Sequence, residues 1–175
     1  MLRRWPNWAY YVVAVVVFFI DYITKKIIDQ TVELGTETIS VIGNFFIISH
    51  LRNKGAAFGI LQEQRIFFLI ITIVVVSGIV WYLQKSYRTG RGILLFGLAM
   101  ILGGAVGNFL DRALFGEVID FLQFNFGSYT FPLFNLADSA ICGGVILVIL
   151  DALLAAKEEK KPHDNGEQPN EYPVG

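Results

Sequence analysis

The stretch GGAVGNFLDRALFGEVIDFLQFNFGSYTFPLFNLADS, residues 103–139, decides how this chain is organised. It carries Asp111, Asp120 and Asp138 in a chain whose residues are 54% hydrophobic. Polar groups next to a membrane cost free energy unless they are paired or have a function. We therefore expect Asp120 and Asp138 to form an aspartyl dyad where two membrane helices end.

The composition is that of a membrane protein. A mean hydropathy of +0.55 accompanies the 54% hydrophobic content, whereas soluble domains contain about 45–50% apolar residues even with glycine counted. The 14 basic and 15 acidic residues leave no basic excess, so no nucleic-acid partner is expected. The single cysteine, Cys142, rules out an internal disulfide, and its apolar surroundings predict a buried thiol.

Four apolar segments have roughly the 20 residues that a bilayer-spanning helix needs. Polar residues Asp21, Thr24 and Lys25 are predicted to end the first helix, where Lys25 either pairs with Asp21 at a solvated end or supports a site. The glycines near the far end of the third segment favour close helix packing. We predict spans at about 8–28, 66–83, 92–110 and 133–156, within a single membrane-embedded domain of residues 1–156.

The segments at about 29–64 and 113–131 are rich in β-forming residues and turn signals. Short strands are expected at 31–34, 39–41, 45–51 and 118–126. In NKGAAFGIL, Asn53 is a typical turn residue, and Gly55 is small enough for a ligand or another backbone to approach closely. The predicted fold is a mainly α integral membrane protein with four transmembrane helices and a small extracytoplasmic β-rich cradle.

Polar residues at two helix ends complete the cluster. Asn108, Asp111 and Arg112 follow at i, i+3 and i+4, so they share one helix face. Adjacent Asp111 and Arg112 do not face each other, which leaves Arg112 free to reach a carboxylate or a substrate carbonyl. Asn135 or Asp138 also suits the N-terminal cap of the fourth helix.

Four spans place both termini on one side, and the basic residues concentrated there predict that this side is cytoplasmic. The polar residues of the cluster then converge near the outer face. After residue 156 the sequence turns polar and contains three prolines, so residues 157–175 are predicted to form a disordered cytoplasmic tail.

Two carboxylates in one site permit amide hydrolysis without a metal, because one stays protonated while the other accepts a proton from water. Several alternatives remain open at this point. Asp111, Asp120 and Asp138 suit Mg²⁺ binding, as in an enzyme acting on lipid headgroups. A proton-coupled transporter is the main rival, although it predicts acids spread through the bilayer and repeat symmetry. A non-enzymatic scaffold leaves the cluster unexplained.

The order of several motifs is more specific. DYITK at Asp21, NKGAAFGIL at Asn53, GGAVGNFLDR at Gly103, EVIDF around Asp120 and FNLADS at Phe134 together resemble lipoprotein signal peptidase, also called signal peptidase II, over about residues 8–156.

The resemblance implies a bacterial inner-membrane aspartyl endopeptidase without cofactor or metal. Its substrate would be a diacylglyceryl-modified prolipoprotein, which it cuts just before the lipidated cysteine at the outer membrane surface, and the peptide antibiotic globomycin would inhibit it. The implied catalytic pair is Asp120 and Asp138. The residues predicted to bind substrate or support the pair are Asn53, Gly55, Asn108, Arg112 and Asn135, with structural roles for Asp21 and Asp111.

Overall fold

The computed structural model describes residues 5–56 and 60–159, which form four long helices beside one antiparallel sheet. The helices are α1 (Asn7–Thr31), α2 (Arg65–Ser86), α3 (Gly92–Phe115) and α4 (Leu136–Glu159). The strands are β1 (Ile39–Ile42), β2 (Phe46–Asn53), β3 (Val118–Phe126) and β4 (Tyr129–Thr130). The sheet lies at one end of the helices, the sheet end, which comprises Thr31, Arg65, Phe115 and Leu136. The distal end comprises Asn7, Ser86, Gly92 and Glu159.

Helix α3 is central and packs against the other three helices. Its glycines allow this, because a Cβ on Gly104 would meet the Ala137 carbonyl oxygen and one on Gly103 would meet the Ala14 carbonyl oxygen. The packing role expected for these glycines is therefore confirmed. At the distal half, Gly97 lies equally close to α4.

The described helices differ in how well they suit a bilayer. Three are long and apolar enough to span a membrane: Arg65–Ser86, Gly92–Phe115 and Leu136–Glu158. The helix α1 is not among them, so three of the four predicted spans are supported. On α2 the large apolar side chains at Ile66, Ile70 and Val74 are exposed, as expected of a surface that contacts lipid.

Several predicted boundaries were wrong. Asp21, Thr24 and Lys25 do not end α1, which continues to Thr31, and the strand expected at 31–34 does not form. The helix extends because Ile28, together with Val32 just beyond its end, packs beneath the sheet against Phe121.

Two other predicted boundaries also differ from the structure. Helix α3 runs past 110 to Phe115 and stops at Gly116, whose left-handed φ of 81° favours glycine. Helix α4 includes 157–159, which the sequence placed in the tail, and Arg91 Nη1 binds the Glu158 carboxylate there at 2.7 Å. The rest of the predicted tail, 160–175, lies outside the described residues, as do 1–4 and 57–59.

The sheet confirms the strands expected at 39–41, 45–51 and 118–126. Its order is β1-β2-β3-β4, and the β2–β3 register sets Leu51 opposite Asp120. The Phe134 carbonyl oxygen accepts hydrogen bonds from the backbone N–H groups of Phe121 and Leu122, at 3.0 and 2.8 Å. The chain entering α4 is thus fastened to β3, which brings the first turn of α4 beside Asp120.

Candidate active site

Asp120 is a buried carboxyl group on β3, with 3% of its surface exposed. Its Oδ2 accepts a hydrogen bond from Asn53 Nδ2 at 2.9 Å, and its Oδ1 accepts one from Asn135 Nδ2 at 2.7 Å. Burial, reinforced by the nearby Asp138 charge, raises the pKa of Asp120 to about 7 against the lowering effect of both amides. This carboxyl group therefore exchanges its proton near neutral pH.

Asp138 lies in the first turn of α4. Asn135 Oδ1 accepts a hydrogen bond from the Asp138 backbone N–H at 2.9 Å, and Asp138 Oδ2 accepts one from the Asn135 backbone N–H at 3.2 Å. This reciprocal pair is a capping box, so the expected capping role is confirmed for both residues. The other oxygen, Asp138 Oδ1, accepts a hydrogen bond from Asn108 Nδ2 at 2.7 Å.

The two carboxyl groups line one cavity of about 590 Å³. Asn135 joins them directly, because it donates to Asp120 and caps the turn that carries Asp138. Cys142 also lines this cavity and is exposed, so its predicted burial was wrong. The remaining walls combine polar with apolar side chains, including Asn53, Asn108, Arg112, Phe68, Val118, Phe131, Leu133 and Ile141.

Arg112 reaches the same cavity from α3. Its Nη2 donates to the Gly55 carbonyl oxygen at 3.0 Å, and its guanidinium lies 4.5 Å from the centre of the Phe68 ring. It interacts electrostatically with Asp138 and Asp120. Its Nε is buried and has no hydrogen-bond partner among residues 5–56 and 60–159. Arg112 therefore holds the loop after β2 in place beside the cavity.

The loop after β2 is built around Asn53 and Gly55. Asn53 Oδ1 accepts a hydrogen bond from the Gly55 backbone N–H at 2.9 Å, which is ordinary turn chemistry, while Asn53 Nδ2 binds Asp120. A Cβ on Gly55 would come within 2.5 Å of the Ile60 carbonyl oxygen. Both expectations for these residues, a turn and a close backbone approach, agree with the structure.

Known proteins are similar to this chain in sequence and in fold. A sequence profile for the family described as Signal peptidase (SPase) II matches residues 13–154. The chain belongs to the signal peptidase II family. It is 48% identical over 152 residues to a lipoprotein signal peptidase of Bacillus pumilus (strain SAFR-032), covering 87% of this chain and 97% of that protein.

Two solved bacterial membrane enzymes, both determined by the in meso method, have the same fold. The structure at 2.3 Å resolution is 37% identical with a TM-score of 0.80, covering 100% of this chain and 99% of that one. The structure at 1.9 Å resolution is 40% identical with a TM-score of 0.75, covering 88% of this chain and 97% of that one. The resemblance seen in the sequence motifs is confirmed.

Behind the cavity of this signal peptidase II chain lies a second polar group. Lys25 Nζ lies 2.7 Å from Asp21 Oδ2 and 2.8 Å from Asp111 Oδ2, and it donates to Asn108 Oδ1 at 2.9 Å. Asp21 Oδ1 accepts a hydrogen bond from the backbone N–H of Ala137 at 2.8 Å. The predicted Lys25–Asp21 pair is confirmed, and Asp21 and Asp111 support the site from behind.

The sequence left open whether Lys25 supports the site and did not count it among the predicted site residues. The motif DYITK contained the signal, because a lysine inside an apolar helix needs more than one partner, but the helix was expected to end there. Asp111 was considered as a third Mg²⁺ ligand with Asp120 and Asp138, yet it pairs with Lys25. Within residues 5–56 and 60–159, no group of three or more His, Cys, Asp or Glu side chains is arranged to hold a metal ion.

Proposed function

We propose that this chain is a membrane aspartyl endopeptidase that removes the signal peptide from diacylglyceryl-modified prolipoproteins. The cut falls just before the lipidated cysteine, at the outer membrane–water interface. Asp120 and Asp138 act as the catalytic dyad. Membership of the signal peptidase II family supports the substrate class, and the geometry of the cavity supports the chemistry.

One observation carries the proposal: Asp120 and Asp138 line a single cavity, and each accepts hydrogen bonds from amide groups. Two carboxyl groups that share a site share one proton near neutral pH. The pKa of about 7 makes Asp120 the group that carries this proton. Asp138 is then the carboxylate that accepts a proton from water.

The reaction follows from this assignment. Asp138 takes a proton from a water molecule as the water oxygen bonds to the scissile carbonyl carbon, and Asp120 gives its proton to the carbonyl oxygen. In the second step the carbon–nitrogen bond breaks, and the proton held by Asp138 passes to the leaving amine. A hydroxyl proton of the intermediate returns to Asp120 as the carboxyl product forms, which restores the dyad.

The walls of the cavity suit a lipidated peptide. Asn53 and Arg112 present polar groups to an extended peptide backbone. Phe68, Phe131 and Ile141 supply apolar surface for the signal helix and the acyl chains. Because enzyme and substrate are both held in the membrane, the anchoring supplies much of the positioning that raises the rate. Globomycin is expected to compete for this cavity.

The placement in the bacterial inner membrane is part of the same proposal. Residues 1–156 belong to one membrane-embedded domain in which α1 also spans the membrane, in addition to the three other helices. Both termini are cytoplasmic. The sheet end then faces outward as the β-rich cradle. This topology puts Asp120 and Asp138 at the outer surface, where lipidated precursors expose the bond to be cut.

The test uses purified wild type, Asp120→Asn and Asp138→Asn in detergent, with a diacylglyceryl-modified prolipoprotein as substrate. Asparagine preserves the shape of each side chain but cannot act as an acid or a base. We expect each variant to lose about 10²–10⁴-fold in kcat. The wild type should keep its activity in EDTA and lose it to globomycin.

Two controls make the result interpretable. Each variant must show the thermal transition of a folded protein, and a prolipoprotein without the diacylglyceryl group should remain uncut. Near wild-type cleavage by either variant would remove that aspartate from the dyad. Loss of wild-type activity in EDTA would restore the metal-dependent alternative.

A further inference from the structure

We propose that Lys25 is a positioning residue for the dyad: its ammonium group fixes the Asn108 side-chain amide in the one orientation that lets Asn108 donate to Asp138. This inference rests on the proposed function, in which Asp138 accepts the water proton. It gives a role in the reaction to a residue that the mechanism above does not use.

The ammonium group of Lys25 is fully committed inside the protein. With 3% of its surface exposed, it lies within 2.9 Å of three oxygens, on Asp21, Asp111 and Asn108. An ammonium group has three N–H donors and no acceptor. Two ion pairs and one hydrogen bond therefore surround its three donors, and Lys25 has no atom that could accept a hydrogen bond from an N–H group.

These contacts of Lys25 determine the orientation of the Asn108 side-chain amide. Asn108 Oδ1 must face Lys25, which leaves Nδ2 to donate to Asp138 Oδ1 at 2.7 Å. Asn135 Nδ2 lies 3.3 Å from the same Asn108 Oδ1 and favours the same orientation. A flipped amide would set its NH₂ against the ammonium and its oxygen against the Asp138 carboxylate. Without Lys25, the flip is opposed by the weaker Asn135 contact and by the Asp138 carboxylate, but no longer by an ammonium group.

The charge of Lys25 has a separate effect on Asp120. The charged groups that act on Asp120 come from three helices: Asp138 on α4, Arg112 on α3 and Lys25 on α1. The Lys25 cation lowers the pKa of Asp120, so its removal should raise this pKa above about 7. Activity of the dyad ends at high pH when the shared proton is lost. The alkaline limb of the pH–rate profile should therefore move to higher pH.

The experiment compares kcat, KM and the pH–rate profile of four proteins in detergent, from about pH 5 to 9. The first is wild type and the second is Lys25→Met/Asp111→Asn, which removes one cation and one anion together and so leaves the net charge of the Asp21–Lys25–Asp111 cluster unchanged. The third is Lys25→Gln, which keeps an N–H donor for Asn108 without the charge. The matched control is Asp151→Asn, because Asp151, buried on α4, forms an ion pair with the partly exposed Arg91 at the distal end.

We expect the paired variant to keep KM and to lose about 100-fold in kcat, the effect of a misplaced reacting group. Its alkaline limb should move to higher pH. Lys25→Gln should lose less in kcat but show the same movement. Asp151→Asn should melt at a lower temperature and keep both the kcat and the alkaline limb of the wild type.

Wild-type kcat and an unmoved alkaline limb in either Lys25 variant would overturn the inference. So would an equal movement of the limb in Asp151→Asn, because the effect would then follow general destabilisation. Activity of Asp120→Asn in the same assay distinguishes a failure of the proposed dyad from a failure of the role proposed for Lys25. If Asp120→Asn is inactive while the Lys25 variants behave as wild type, the dyad stands and only the role of Lys25 fails.

Discussion

The two ends of the α3–α4 pair both bury a carboxylate, but they give it different partners. At the distal end, Asp151 accepts a hydrogen bond from the guanidinium of Arg91 at 2.9 Å. At the sheet end, Asp120 and Asp138 accept hydrogen bonds from the side-chain amides of asparagines. Among the cations of the sheet end, Lys25 contacts Asp21 and Asp111, whereas Arg112 donates to backbone carbonyl oxygens and acts on Asp120 and Asp138 electrostatically.

This difference separates a structural carboxylate from one that must change its protonation state. A neighbouring cation strongly favours the charged form of a carboxylate. Amide donors bond to the same oxygens but favour the charged form less strongly, because they carry no net charge. The sheet end thus keeps two carboxyl groups in place while one of them, Asp120, gains and loses its proton near pH 7.

The largest effect on activity is expected when an amide side chain is removed from the sheet end. Asn135 is fully buried, donates to Asp120 and caps α4. Asn135→Ala should lower kcat by about 100-fold or more, because both carboxyl groups lose a positioning contact. It should also cost about 1 kcal/mol of stability through the lost cap. A kinetic assay paired with thermal unfolding measures both, and unchanged kcat would contradict the assigned role of the amide.

The second prediction concerns the pH dependence of stability. The pKa of Asp120 is about 7 in the folded protein and 3.8 for a solvated aspartate, so folding binds the proton more tightly. Its stabilising contribution is full below about pH 4 and is lost as pH rises to about 7. Asp120→Asn should therefore be more stable than wild type at pH 8, by about 1–3 kcal/mol, and nearly equal at pH 4.

Melting curves of both proteins across that pH range provide the measurement. The gap between them should open as the pH rises through neutrality. Parallel curves would show that Asp120 does not titrate as the structure indicates.

The third prediction uses two glycines that are matched in their packing. A Cβ on Gly104 would meet the Ala137 carbonyl oxygen near the dyad, and one on Gly97 would come within 2.7 Å of the Gly144 carbonyl oxygen towards the distal end. Each change to alanine should cost about 1–3 kcal/mol by overpacking. Only Gly104→Ala should also lower kcat, by about tenfold, because it pushes the first turn of α4 away from α3.

Thermal unfolding and initial rates on the folded fraction distinguish the two glycines. A similar loss of kcat in Gly97→Ala would mean that the rate responds to helix packing throughout the bundle. In that case the two ends of the α3–α4 pair would not be separable.

The smallest effect is expected in the cradle. Arg52 on β2 is 2.9 Å from Asp29 Oδ1 and 3.0 Å from Glu117 Oε1, and these groups are partly exposed to solvent. Exposed ion pairs contribute about 0–1 kcal/mol. Arg52→Ala should lower stability within that range, less so at high salt, and leave kcat unchanged. A loss above about 2 kcal/mol would show that the pairs act as a buried network.

The sequence predicted the elements of the fold better than their ends. Hydrophobic run length and turn residues located four helices and the main strands, because burial and turn chemistry are local signals. The end of α1 was missed because Ile28 and Val32 are stabilised by Phe121, a contact with a distant strand. Such contacts leave no trace in the local pattern.

The site shows the same limit. Helical spacing correctly grouped Asn108, Asp111 and Arg112, but their partners lie on three other elements and point different ways. The pairing of Leu51 with Asp120, which sets Asn53 near the dyad, depends on a strand register that spacing alone does not give. The role of Lys25 needed the tertiary structure because its partner Asn108 is 83 positions away.

The bond between Asp21 and the Ala137 backbone joins positions 116 residues apart, and it has a consequence for biogenesis. When the first helix leaves the ribosome, its aspartate and lysine have only each other. The third helix adds Asp111 and Asn108 for the lysine, and the last helix adds the Ala137 N–H for the aspartate, so these buried charges are fully satisfied only after the whole bundle has been inserted. A nascent or truncated chain without α4 therefore lacks both Asp138 and the donor that binds Asp21.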